Sequence, residues 1–312
     1  MANTLKLGNG NWAKKEGSLL SYNDENNNFK PLPFDFARNS VATVINKKGL
    51  IETVASGLPR IDFKDDSKGV LLLEPSKTNL IPYSENFNVS DWAKLGTAFT
   101  ITSNNTISPS GELNASSINA TNNDNILYKA VSGLSSSQSE WNFSLYAKGS
   151  GSFDMNIRLN SSAISTVTKT LTNEWQRFDV SVTGTPTITS IECFIELNVL
   201  STYEVWGAQL EESYATSYIP TNGATATRVL DACNNGGNNQ VFNDSEGVLY
   251  TEIKALSNDG TSRVITIGDG SAANRVFIKY DSTINSIQGV IVSSGVAVAI
   301  MSFTTENVLQ FN

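Results

Sequence analysis

At 312 residues, with 39% hydrophobic and only 17% charged side chains, the chain can bury real cores but exceeds the roughly 100–200 residues of one domain, so two or three domains are expected. A formal net charge of −8 removes the phosphate neutralisation on which bulk nucleic-acid affinity rests, and no stretch approaches the roughly 20 apolar residues that span a bilayer, so neither nucleic acid nor membrane insertion is expected. The absence of histidine takes away the commonest general base and metal ligand near neutral pH, and two cysteines, Cys193 and Cys233, are too few for a disulfide framework and read as free thiols.

Residues 1–37 mix Gly8, Gly10 and Gly17 with the run Asn23 to Asn28 and then PLPFDF, where Pro31 and Pro33 hold the backbone extended. The aromatics Trp12, Tyr22, Phe29, Phe34 and Phe36 are too sparse for a core of their own. The pattern predicts an extended arm that docks on other chains. The N-terminus also lacks the apolar core of a secretory signal, which predicts assembly in a cytoplasm. Residues 38–83 carry short β-type runs, SVATVI, LIETVA, LPRIDF and GVLLLE, separated by the turns KKG, SG and DDSKG. Strands this short predict a small β collar whose sheet edges are completed by other copies.

Residues 84–230 alternate apolar and polar positions in FTITS, WNFSLYAKG, FDMNIRLN, WQRFDVSVTG, IECFIELN and YEVWGAQLEES. Trp175, Phe178, Val180 and Val182 come close to alternating with Arg177, Asp179 and Ser181, as a half-buried strand requires. About eight such strands match a jelly-roll β-sandwich. The Gly- and Asn-rich break CNNGGNNQ opens residues 231–312, where GVLYTEIKAL, SRVITIGDG, NRVFIKYDS, SIQGVIVSSG and VAVAIMSF predict a five-stranded antiparallel meander. Its final run, NVLQF, has no closing strand, so this segment is expected to be the front part of a longer sandwich. Sustained helical periodicity is absent, with room for one short turn at 86–95, and the fold class is all-β.

Two stretches resemble a known family: FDFARNSVATVINKKGLIE running into LLLEPSKTNLIPYSENF, and WGAQLEESYATSYIPTNGATATRVLD. Both are similar to segments of bacteriophage head-fibre and tail-fibre proteins. The opening LKLGNGNWAKKEGSLLSYNDENNNFKPLPFDF resembles the virion-attachment arm of fibre proteins from crAss-like phages. The part between the motifs resembles carbohydrate-binding-module jelly rolls, and residues 246–312 resemble a concanavalin-like lectin or laminin-G domain. The resemblance implies virion attachment through Trp12, Tyr22, Phe29, Phe34 and Phe36, capsid or other virion proteins as partners, and sugar binding as a family habit.

For sugar binding, aromatic faces beside amides and carboxylates are needed, which makes Trp92, Trp141, Trp175, Trp206 and Tyr203 the candidates. Trp141 and Trp175 open alternating strands and are expected in the core. Trp92, Trp206 and Tyr203 are assigned to the glycan site, with Trp92 foremost because NVSDWAK is polar, although the same ring fits as a plug at one end of the sandwich. The carboxylate pairs Asp65/Asp66 and Glu211/Glu212 are expected to be solvated turn charges, since strand neighbours point to opposite faces and cannot converge on one substrate. No catalytic residue is assigned. No cofactor is expected: Asn122, Asn123, Asp124 and Asn125 read as a solvated loop, and the alternative is a structural Ca2+ there, since jelly-roll modules often carry calcium and these residues offer hard oxygen ligands.

Together these features predict a non-enzymatic, β-rich fibre subunit on the exterior of a phage particle, most simply a homotrimer, adhering to host-surface or mucus polysaccharide and placed on the head. The alternative expectation is a tail fibre or tailspike with a glycan-degrading module elsewhere in the chain.

Overall fold

The computed structural model describes residues 5–20, 22–23, 28–29, 34–96, 99–121, 125–185, 187–197, 202–237 and 246–310. The chain is all-β, with no helix among the described residues. Residues 87–91 form turns, which lead into the strand Ala93–Leu95. The chain divides into two compact units, residues 3–238 and 239–312.

Ten strands build a sandwich in the first unit: β1 (Ala93–Leu95), β2 (Phe99–Ile107), β3 (Leu113–Ala120), β4 (Asn125–Ser136), β5 (Glu140–Gly149), β6 (Ser152–Leu159), β7 (Ala163–Thr170), β8 (Gln176–Thr183), β9 (Ile188–Leu197) and β10 (Thr202–Glu212). They form two five-stranded antiparallel sheets, ordered β1-β4-β9-β6-β7 and β2-β3-β10-β5-β8. The core between them follows from period-2 alternation. Phe153, Met155, Ile157 and Leu159 of β6 lie opposite Leu197, Ile195, Cys193 and Ile191 of β9, and all are buried together with Phe143, Leu145 and Leu210 from the facing sheet. Val180 and Val182 of β8 join them, as the WQRFDVSV pattern requires. Buried this way, the Cys193 thiol is free and its pKa is pushed far up.

The second sheet is covered over part of its outer side, while Asp179 and Ser181 of β8 stay exposed there. Residues 38–83 pack across it and bring Ile45 and Ile51 against Ala115, Tyr146, Trp175, Trp206 and Tyr218. Gly207 sits at a β-bulge of β10 with φ +66°, and a Cβ there would come within 3.1 Å of the Tyr146 ring and 3.3 Å of the Tyr218 ring. The expected collar is therefore a cap on its own sandwich. Its strands pair within the chain as two-stranded sheets, in the hairpins Ala42–Ile45/Ile51–Val54 and Ile61–Asp62/Val70–Leu71 and between Lys77–Asn79 and Ala226–Arg228, and their outer edges have no strand partner among the described residues.

The expected free arm also differs. Ala13–Lys15, Ser18–Leu20, Phe34–Ala37 and Ala232–Asn234 form one four-stranded sheet, so residues on both sides of the expected boundary at 231 belong to the first unit. In the second unit, Val264–Gly268, Arg275–Tyr280, Ser286–Ser293 and Val296–Thr304 form a four-stranded antiparallel meander. The expected first strand, GVLYTEIKAL, makes no ladder, and Val248 and Tyr250 lie exposed. The last strand is exposed along its whole length, including Val298, Ile300, Met301 and Phe303.

Candidate functional site

With one sandwich sheet capped by residues 38–83, the outer face of the other, β1-β4-β9-β6-β7, is the place where side chains can meet a ligand. Strand alternation decides which ones. Because the odd-numbered residues of β6 and β9 fill the core, the even-numbered ones point outward. The register aligns them in three rows: Ile126, Glu196, Asp154 and Thr168; then Tyr128, Phe194, Asn156 and Thr166; then Ala130, Glu192, Arg158 and Ile164. Rows two residues apart and strands roughly 4.8 Å apart make an area about 14 Å on a side, the size of a short oligosaccharide.

The middle row is aromatic. The Tyr128 and Phe194 rings stack with centroids 5.5 Å apart at 23°, and the Arg158 guanidinium lies 5.1 Å above the Phe194 ring. Arg158 Nε donates to Glu192 Oε2 at 2.6 Å, which raises the Arg158 pKa and commits that charge. Beside the rings, Asn156 is 1% exposed, yet among the described residues neither its Nδ2 nor its Oδ1 has a hydrogen-bond partner, and the same holds for Asp154 Oδ1. Leaving a buried polar group unpaired costs about 1–3 kcal/mol. Burial, and next the neighbouring Asp154 carboxylate, raise the Glu196 pKa above its usual value. Flat apolar rings next to unmet donors and acceptors are what a sugar, with its apolar C–H face and ring of hydroxyls, can engage.

The three residues assigned to glycan contact from sequence lie elsewhere, each 1% exposed. Trp92 plugs the end of the sandwich: its ring lies 5.0 Å from Phe87, and Nε1 donates to the Tyr83 carbonyl at 3.0 Å. Tyr203 faces the core against Phe153 and donates to the Ser152 carbonyl at 3.2 Å. Trp206 points outward from its sheet but is covered by residues 38–83 and by Tyr218, 4.4 Å away. Trp141 is in the core as expected, whereas Trp175 is half-buried beneath Lys148 and donates to the Ile107 carbonyl at 2.9 Å.

Among the residues assigned to virion attachment, Phe36 is buried, and Trp12 Nε1 donates to the Lys68 carbonyl at 2.9 Å. Phe34 packs so closely on Gly236 that a Cβ there would lie 2.3 Å from its ring. These three are engaged within the chain. Tyr22 and Phe29 are cross-strand partners whose side chains lie outside the described residues. Asn122, Asn123 and Asp124 of the alternative calcium loop also lie outside them, and Asn125 is buried. Glu211 is no solvated turn charge either: it is fully buried and accepts from Thr216 N at 2.8 Å. Among the described residues, no three acid, cysteine or histidine side chains converge in a way that could hold a metal.

A separate cleft of about 360 Å³ is lined by Tyr83, Glu85, Asn86, Asn104, Pro220, Thr221 and Asn222. Burial raises the Glu85 carboxyl, which accepts from Tyr218 Oη and Asn114 Nδ2, each at 2.9 Å, so its acceptor atoms are already engaged.

The outward face was available in the sequence through phase alone. In IECFIEL, Ile191, Cys193, Ile195 and Leu197 alternate, which leaves Phe194 out of register with them and therefore on the other side. In FDMNIRL, the same argument puts Asp154, Asn156 and Arg158 outward.

No protein-family model matches this chain, and no curated protein matches it. Solved structures with partial likeness include the enzymatically active domain of tailspike protein 4 from bacteriophage CBA120, at 12% identity and a TM-score of 0.36 over 42% of this chain and 21% of that one. The chain thus spans about a fifth of that domain. Others are TmCBM61, solved with β-1,4-galactotriose, at 14% identity and a TM-score of 0.32 over 43% of this chain and 99% of that one, and the CBM22-1 xylan-binding domain of Paenibacillus barcinonensis Xyn10C, at 10% identity and a TM-score of 0.33 over 45% and 94%.

Proposed function

We propose that this protein is a non-catalytic adhesive subunit of a bacteriophage fibre that binds glycans on the outer face of the β1-β4-β9-β6-β7 sheet. The observation that carries the glycan reading is the middle row of that face, the stacked Tyr128 and Phe194 rings beside the unpartnered amide of Asn156. The fibre reading rests on the resemblance of FDFARNSVATVINKKGLIE and WGAQLEESYATSYIPTNGATATRVLD to fibre segments, with a head position preferred over a tail one. A homotrimer is the assembly we infer, since the uncharged and exposed edge strand Val296–Thr304 gains most from a partner.

Glycan-array binding by the full chain tests the site. Phe194→Ala is expected to weaken binding at least tenfold, and because the ring is 9% exposed a thermal melt run beside the array separates loss of the site from loss of stability. Undiminished binding in that variant would move the site elsewhere. Labelling of purified particles with an antibody to the sandwich tests virion placement, and absence of label on head and tail alike would rule out the fibre reading. Native mass measurement tests the trimer, and a monomer at micromolar concentration would exclude it.

A further inference from the structure

We infer that the same face holds a calcium ion between Asp154 and Glu196, with Asn156 Oδ1 as a third ligand, and that the ion presents open coordination positions to sugar hydroxyls; the sugar half of this inference rests on the glycan reading above. Asp154 and Glu196 are direct cross-strand partners on β6 and β9, a geometry that brings their Cβ atoms within about 4.5–5.5 Å. Two carboxylates so placed repel each other. The one cation aligned beside them on this face, Arg158, is committed to Glu192, and among the described residues neither Asp154 nor Glu196 is in an ion pair. A positive charge is what the pair lacks.

Independent of the acid pair, Asn156 lies two residues along β6 on the same face, nine-tenths buried and more, with its amide oxygen unpartnered. Two carboxylates and an amide carbonyl are hard oxygen donors and match calcium, magnesium or manganese rather than zinc or copper, for which sulfur or imidazole is wanted. Calcium takes six to eight oxygens in flexible geometry. Three from the protein leave several for water or for a vicinal diol. Magnesium fits less well, since it demands a near-ideal octahedron and keeps its waters.

The test is a calorimetric titration of the full chain with CaCl2 after chelator treatment, paired with thermal melts and with glycan binding in calcium and in EDTA. One site with a dissociation constant of roughly 10⁻⁴–10⁻³ M is expected, as in extracellular modules. Calcium should raise the melting temperature, and Asp154→Asn and Glu196→Gln should each abolish both the heat and the shift. In the absence of calcium, Asp154→Asn should melt higher than the parent because it removes the repulsion. Glycan binding should fall at least tenfold in EDTA. No calcium binding at millimolar concentration, or binding that survives both substitutions, overturns the cation site. Glycan binding that is indifferent to EDTA overturns the bridging role and leaves the glycan reading intact. Calcium bound with no glycan recognised in either buffer leaves the cation site standing and removes the glycan reading.

Discussion

Arg38 and Asp231, 193 positions apart in the chain, form an ion pair at 3.0 Å with both side chains fully buried. Asp231 also takes a hydrogen bond from Arg60, and it accepts the Glu74 backbone N–H at 2.9 Å. Arg60 and Arg228 both reach Glu74, at 2.7 and 2.9 Å. Three arginines and two carboxylates thus clamp residues 38–74 to residues 228–231 beneath the cap, with Glu211 close enough to add its charge at Arg228.

Removing one member of such a cluster leaves the others charged in a buried site. Asp231→Ala is expected to destabilise the first unit by about 3–5 kcal/mol, read as a lower urea midpoint. A change under about 1 kcal/mol would mean that the cluster is hydrated and weak.

Burial pushes the Glu74 carboxyl up, but Arg228 and Arg60 outweigh it and hold the pKa below its ordinary 4.5. A carboxylate depressed on folding stabilises the fold above its unfolded pKa, and that contribution is lost as pH falls from about 4.5 through the lower folded value. Glu85, raised by burial, works in the opposite sense and relieves the fold as it protonates. The acid limb of a stability profile should therefore flatten in Glu74→Gln and steepen in Glu85→Gln.

Trp92 fills the end of the core and does not face a ligand. Trp92→Ala should cost about 3–5 kcal/mol in stability. Below the melting temperature it should leave glycan binding unchanged, a combination that thermal melts and array binding measure together.

The two thiols differ in burial. Cys193 lies in the core with its pKa pushed far up, and burial raises Cys233 to about 11. A disulfide reagent at pH 8 should react slowly with Cys233 and not with Cys193 until denaturant is added. Fast reaction of two thiols in the folded chain would contradict the burial of Cys193.

The sequence by itself determined the all-β class, the alternating strands of the sandwich and the burial of Trp141 and Cys193, because side-chain alternation is a local property with a period of two. It also held the outward phase of Phe194 and Asn156. Only the tertiary structure decided which sheet face stays open, because a face that alternation leaves outward is covered or exposed according to which distant segment docks on it. Trp206 is the example: its own strand turns it outward, and Ile45 and Ile51, more than 150 positions away, close over it. The same nonlocality hid Arg38, Arg60 and Glu74, which carry no local signal of burial and become a buried cluster only when residues 228–231 return to meet them.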